Sequence, residues 1–372
     1  MENHALYHER LTRLKKAVAL EKPDDRVPIS LYGTFFLKYG NPEAKLVDFV
    51  TRPEWADHMI VRGYCRLKAI DAGGPPVMEK VENMGKLWLA QARIPGRELR
   101  DDDLWQIDEV GLMTVDDYDR VLKMGWKPFM EDFLITRLGY RPEDLVPDEA
   151  ASKKQLEKYA AAGLPSFIGG FVGGMPFDVL SGGRGMANFF LDLHRIPDKV
   201  EAVLQLIAEE EAAAEIEFLR KTKPWCVVVQ PCVRANSGFI SRNMFERFAW
   251  PLFKRFTEIA LAEGVRVLFH MDARWDKFLD YFTGFPRGMC VFDPDGQTDI
   301  FQIKKVLGDR MCITGDVSAT MLTLASAEEV YRYSRKLIEE IGPAGFILSS
   351  GCAVPPTAKP ENVEAMVAAA TA

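Results

Sequence analysis

The sequence predicts an α/β protein, and within that class a single (β/α)8 barrel over residues 1–372, with an N-terminal helical and hairpin elaboration. Three observations carry this. From residue 166 on, apolar strand-like runs alternate with helical patterns, which means βαβ units and a parallel sheet. Six such runs follow residue 166, and about two precede it, making eight. No Gly-rich dinucleotide turn follows an early strand, which disfavours a doubly wound open sheet.

Residues 1–150 carry the elaboration and the first strands. Residues 6–20 place apolar side chains at helical spacing, and Lys22-Pro-Asp-Asp-Arg26 is a turn. Val27-Pro-Ile-Ser-Leu-Tyr32 reads as a short strand. Pro53 opens a helix expected to run to about Ala72, where Gly73-Gly-Pro-Pro ends it. Alternation within 78–113, as in Lys86-Leu-Trp-Leu-Ala-Gln-Ala-Arg-Ile94, predicts β-hairpins. Helices are expected over 115–124 and 127–138, then an acidic, Pro-containing connection near 142–149.

The regular half follows. Strands are predicted at 166–172, 225–230, 265–270, 289–293, 311–315 and 345–349. Helices are predicted at 151–162, 184–193, 197–221, 243–263, 274–283, 298–307, 326–341 and from Pro360. No internal repeat or low-complexity segment interrupts them.

Composition narrows the function classes. Of 372 residues, 48% are hydrophobic and 27% charged, enough for a sizeable core. The net charge is −7 and the basic residues are dispersed, which argues against a nucleic-acid partner. No run approaches the ~18 apolar residues of a membrane helix, and the polar N-terminus is not a signal peptide. Six scattered cysteines without a CxxC pair read as reduced thiols of a cytoplasmic protein, most of them small core residues.

The chemistry points to Val265-Arg-Val-Leu-Phe-His270-Met-Asp272. Side chains two apart on a strand share a face, so His270 and Asp272 lie together at a strand's C-terminal end, where barrels place their active sites. Phe346-Ile-Leu-Ser-Ser-Gly-Cys352 is a companion strand-and-loop whose loop carries a thiol. A His and a Cys from separate strand ends could ligate zinc, which accepts nitrogen, sulfur and oxygen donors. The plainer readings are a satisfied buried histidine, an aspartate capping the next helix and a small residue in a turn. Asp316 ends the strand at 311–315, and Asp293 and Asp295 also follow a strand. Arg234 and Asn236, after the strand at 225–230, suit a substrate carboxylate or phosphate. The loop Gly169–Gly185 has seven glycines in 17 residues, and offers either a flexible cover with Arg184 available to an anion or a tight connection. Trp105-Gln-Ile-Asp-Glu109 reads as a surface turn.

These segments resemble the uroporphyrinogen decarboxylase superfamily, and its methylcobalamin:coenzyme M methyltransferase branch more than the true decarboxylases. The resemblance rests on Glu9-Arg-Leu11, Lys22-Pro-Asp-Asp-Arg-Val-Pro28, Phe269-His-Met-Asp272, Ile313-Thr-Gly-Asp-Val317, Leu348-Ser-Ser-Gly-Cys-Ala-Val-Pro-Pro356 and Lys359-Pro-Glu-Asn362. It covers most of residues 200–372 and more weakly the rest, and implies a (β/α)8 barrel. True decarboxylases carry an Arg-Gln-Ala-Gly-Arg segment that grips substrate carboxylates; the matching Leu31-Tyr-Gly-Thr-Phe-Phe36 has neither arginine. The corrinoid-dependent methyltransferases bind zinc through a His-x-Cys pair and a later Cys. His270 matches the first ligand and Cys352 the last, while Asp272 replaces the middle Cys. The resemblance thus implies a methyltransferase that works with a corrinoid carried by a partner protein. Its zinc would be held by His270, Asp272 and Cys352, with His270, Asp272 and Asp316 as catalytic candidates and Arg184, Arg234 and Asn236 as substrate-binding ones. A decarboxylase of a tetrapyrrole or smaller acid is the other enzymatic reading, and a non-catalytic ligand-binding barrel is the third.

Overall fold

The computed structural model describes residues 2–73, 81–146, 148–230 and 232–372. The start of the predicted 78–113 hairpin region, the glycine-proline stop after residue 73 and Pro147 of the acidic connection lie partly outside them.

The chain is an α/β fold around one eight-stranded parallel sheet. In chain order the strands are β1 (Ile29–Leu31), β2 (Ala72–Gly73), a separate antiparallel pair β3 (Gln91–Arg93) and β4 (Gln106–Asp108), then β5 (Phe171–Val172), β6 (Cys226–Val229), β7 (Arg266–Met271), β8 (Cys290–Pro294), β9 (Cys312–Val317) and β10 (Phe346–Ser350). The sheet order is β2-β1-β10-β9-β8-β7-β6-β5, so sequential strands are neighbours except β2 and β5, which form the two ends of the sheet, and the last strand pairs with the first. That order, a curled parallel sheet whose last strand lies beside its first, is consistent with a (β/α)8 barrel. Six sheet strands follow residue 166 and two precede it, as the alternation predicts.

The two sheet faces have separate cores. Cys226, Val228, Leu268, Val291, Cys312 and Ile347 pack on the inner face against Leu14, Ala17 and Val18. Their alternates Val227, Val229, Val267, Phe269, Phe292, Ile313 and Leu348 pack outward with the surrounding helices. The helix Glu2–Val18 covers the N-terminal ends of the strands. Its Arg10 donates to the carbonyls of Gly163 and Lys68, in loops that enter β5 and β2. Its Arg13 meets Asp71, whose fully buried carboxylate also accepts from Arg26 and from the Ile29 N–H.

That carboxylate explains one departure from the predicted elements. The helix from Pro53 stops at Arg66, not near Ala72, because Asp71 turns in to the two arginines and Ala72–Gly73 joins the sheet beside β1. A second departure is the Gly-rich segment. Pro176 sits in the first turn of a helix, Pro176–Arg184, and a second helix covers Met186–Arg195. Gly182 is required there, since a Cβ would fall 2.1 Å from the Trp88 carbonyl oxygen. The helix expected over 274–283 is only a short 3-10 turn, Leu279–Gly284. A 3-10 segment, Val81–Trp88, precedes the hairpin formed by β3 and β4. Cys226, Cys232, Cys290 and Cys312 are buried, and no cysteine is paired among the described residues.

Candidate metal centre

The inner face becomes polar toward the C-terminal ends of the strands. His270 follows Leu268 by two residues, and Asp293 follows Val291 by two, so both continue that face. The parallel register pairs His270 with Asp293 and Ser349 with Asp316. His270 Nδ1 lies 2.6 Å from Asp293 Oδ2. With the ring N–H donating to that carboxylate, Nε2 is turned the other way. There it lies 3.3 Å from Asp272 Oδ1 and 3.7 Å from Cys352 Sγ.

Local structure fixes the other two donors. Ala273, directly after Asp272, adopts φ +68, a left-handed conformation uncommon for a residue with a Cβ. Asp295 accepts its N–H at 2.8 Å and Thr298 donates to its carbonyl at 2.8 Å. The Trp275 indole donates to the Asp272 carbonyl at 2.7 Å. The loop after β10 is held as firmly: the Gly351 N–H donates to the Val317 carbonyl at 3.0 Å, and Ser350 Oγ donates to the Cys352 carbonyl.

The donor atoms of His270, Asp272 and Cys352 all lie within 4.8 Å of one another. A tetrahedral zinc with bonds of about 2.0–2.3 Å sets its donor atoms about 3.3–3.7 Å apart. The separations of 3.3 Å and 3.7 Å from Nε2 fall in that range. Nitrogen, oxygen and sulfur donors suit zinc, and a carboxylate behind the imidazole is the usual support for a ligating histidine. Those two separations and the chemistry of the donor set fit the ion.

Electrostatics agree with a cation site. Burial works against a charged His270, but Tyr32, Asp293 and Asp272 around it outweigh burial and raise its pKa well above the ordinary value. A neutral phenol carries no charge, so the two carboxylates do most of this. Burial also opposes the charge on Asp272, yet the contact with His270 prevails and its pKa lies below the usual range. Burial dominates at Asp293 and raises its pKa. A proton on Nε2 and a metal ion compete for one position.

The other predicted residues lie apart from this cluster. Asp316 is buried, accepts from the Tyr333 hydroxyl at 2.6 Å and is pushed up to about 6 by burial. Arg184 is buried, with Nε on Asp192 at 2.7 Å and one NH group on the Met113 carbonyl at 2.6 Å. Arg234 pairs through both NH groups with Glu109, donates to Ser181 and lies over the Trp88 ring. Glu109 therefore does more than the surface turn expected of it. Asn236 shapes its own loop, donating to Val233 and accepting from Gly238.

Three residues escape the sequence reading. Asp293 is visible there only as an acid after a strand; its partnership with His270 needs the β7–β8 register. Tyr32 ends the segment of β1, and its hydroxyl reaches Cys352 from the opposite end of the chain. Asp178 is fully buried in the Gly-rich segment, where it accepts from the N–H groups of Val233 and Arg234. Burial pushes it up to about 7 against those two donors.

The comparisons with known proteins agree with this architecture. A structure described as a methyltransferase from Methanosarcina mazei superposes with a TM-score of 0.63 at 18% identity, over 96% of this chain and 97% of that one. At that identity it shows the fold. No curated protein sequence matches. The family profile for uroporphyrinogen decarboxylase (URO-D) matches residues 159–372, more than half of the sequence and all of the site apart from Tyr32. The chain therefore belongs to the uroporphyrinogen decarboxylase family.

Proposed function

We propose that the chain is a methyltransferase that moves a methyl group between a small molecule and a corrinoid carried by a partner protein. The observation that carries this reading is the cluster of His270, Asp272 and Cys352, backed by Asp293, at the C-terminal end of the sheet. The likeness to a solved methyltransferase supports it. His270, Asp272 and Cys352 would hold a zinc ion, which supplies Lewis-acid polarisation of a substrate heteroatom. With one thiolate and one carboxylate, the centre favours an oxygen-containing substrate over a thiol. His270 is oriented by Asp293; Asp272 presents its carboxylate at the site's more open edge; Asp316, raised to about 6, is a proton-holding group on the same sheet face.

The same reading closes the sheet into a (β/α)8 barrel as one domain over residues 1–372, with residues 1–150 as its N-terminal elaboration. It places the protein in the cytoplasm, where its unpaired cysteines stay reduced. Among the described residues no helix is long and apolar enough to cross a membrane.

A decarboxylase reading draws support from the family's name. The arginines that would grip carboxylates are engaged, Arg184 with Asp192 and Arg234 with Glu109. The discriminating experiment is metal analysis after zinc reconstitution of the wild type and His270→Ala. One zinc per chain in the first and loss in the second is expected. Metal-free wild type that consumes a porphyrinogen would instead favour decarboxylation.

A further inference from the structure

We propose that Tyr32 is a positioning residue of this metal centre, which tunes the Cys352 sulfur through a hydrogen bond. The inference rests on the metal reading above. The Tyr32 hydroxyl donates toward Cys352 Sγ at 3.6 Å, and among the described residues it has no other hydrogen-bond partner. That contact is built into the backbone on both sides. The Val354 N–H donates to the Tyr32 carbonyl at 2.7 Å, and the Phe35 N–H donates to the Val354 carbonyl at 3.3 Å. Gly33 adopts φ +138, and a Cβ there would fall 2.3 Å from the Val354 carbonyl oxygen. Only glycine lets residues 32–35 lie this close to residues 352–354. The phenol is therefore carried to the sulfur by the junction of β1 and β10, not by a chance side-chain rotamer.

The chemistry follows from the donor. A tyrosine hydroxyl beside a metal-bound thiolate is a one-proton donor to sulfur. Its hydrogen bond draws electron density from the sulfur and lowers the energy of the lone pair that binds the metal, as such contacts do at other sulfur-ligated metals. The metal is then a stronger Lewis acid than its single thiolate alone would make it. Tyr32 and Asp272 act in the same direction, one by weakening sulfur donation and the other by replacing sulfur with oxygen.

The probe is cobalt(II) alone, bound to the full chain in place of zinc. Its sulfur-to-metal charge-transfer band reads the energy of the sulfur lone pair. Tyr32→Phe is expected to keep the band and move it to lower energy. Uniform 3-fluorotyrosine labelling strengthens the donor and is expected to move the wild-type band to higher energy; it serves as the second test if Tyr32→Phe does not fold. The labelled Tyr32→Phe chain should show no such rise. A wild-type band that neither change moves overturns the role of Tyr32 while leaving the metal site standing. A wild-type chain with no sulfur-to-cobalt band overturns the metal reading and this inference together.

Discussion

Asp293 Oδ2 lies 2.6 Å from Nδ1 of His270, across a register position that β7 and β8 share near the C-terminal ends of the strands. The carboxylate fixes the ring's tautomer and aims Nε2 at Asp272 and Cys352. A partner of this kind makes a ligating imidazole more basic, and its loss at other sites costs about 10–100-fold in metal affinity. Asp293→Ala, which leaves all three ligands in place, should weaken zinc binding by that factor in competition with a chelator. Unchanged affinity would remove Asp293 from the centre.

Asp272 is the proposed ligand that departs from the His-x-Cys pattern the resemblance implies. A cysteine at the same strand-end position can offer sulfur where oxygen now stands. Asp272→Cys should still bind cobalt(II), with about twice the intensity in the sulfur-to-metal band, because two thiolates then contribute. An intensity equal to wild type would mean that position 272 does not face the metal.

The base of the sheet is held by a different constellation. Asp71 is fully buried between Arg13 and Arg26 and caps the Ile29 N–H. Breaking a buried ion pair from one side costs about 3–5 kcal/mol, since the remaining charges stay desolvated. Asp71→Ala is expected to lower unfolding free energy by that amount in urea titrations. A loss below 1 kcal/mol would show that Arg13 and Arg26 find water or other partners.

Glu215 supplies a pH dependence. It accepts the Gly173 N–H at 2.9 Å, and burial, with the charge of Glu211, pushes its carboxyl from the ordinary 4.5 up to about 7 against that hydrogen bond. The folded chain thus holds the proton more tightly than the unfolded one. The resulting stability is fully present below about 4.5 and is lost as pH rises to about 7. Glu215→Gln keeps the acceptor oxygen and cannot ionise. Its stability should fall less across that window, by on the order of 2 kcal/mol. Urea midpoints measured from pH 4.5 to 8 test this, and parallel profiles for the two proteins would refute it.

The strands that carry the site are legible in the sequence because they are short apolar runs followed at once by polar residues. His270 and Asp272 stand out for that reason, and Cys352 for the run before it. Relations that need register or distant partners are hidden. Asp293 becomes the support of His270 only when β8 is aligned with β7. The helix from Pro53 ends early because Arg13 and Arg26, far upstream, claim Asp71. The Gly-rich segment is helical against its local propensity. Gly182 permits the approach of Trp88 there, and Asp178 ties the helix to the loop after β6.

The junction of β1 and β10 carries a consequence for how the protein is made. Tyr32 and Cys352 are 320 residues apart in the chain, and His270 lies 82 residues before that cysteine. Until Cys352 has been added, an emerging chain holds the imidazole and the carboxylate of the cluster without the thiol that joins them. On the proposed zinc reading, tight capture of the metal waits until Cys352 has emerged and β10 has paired with β1, so loading with metal would report that this junction has formed.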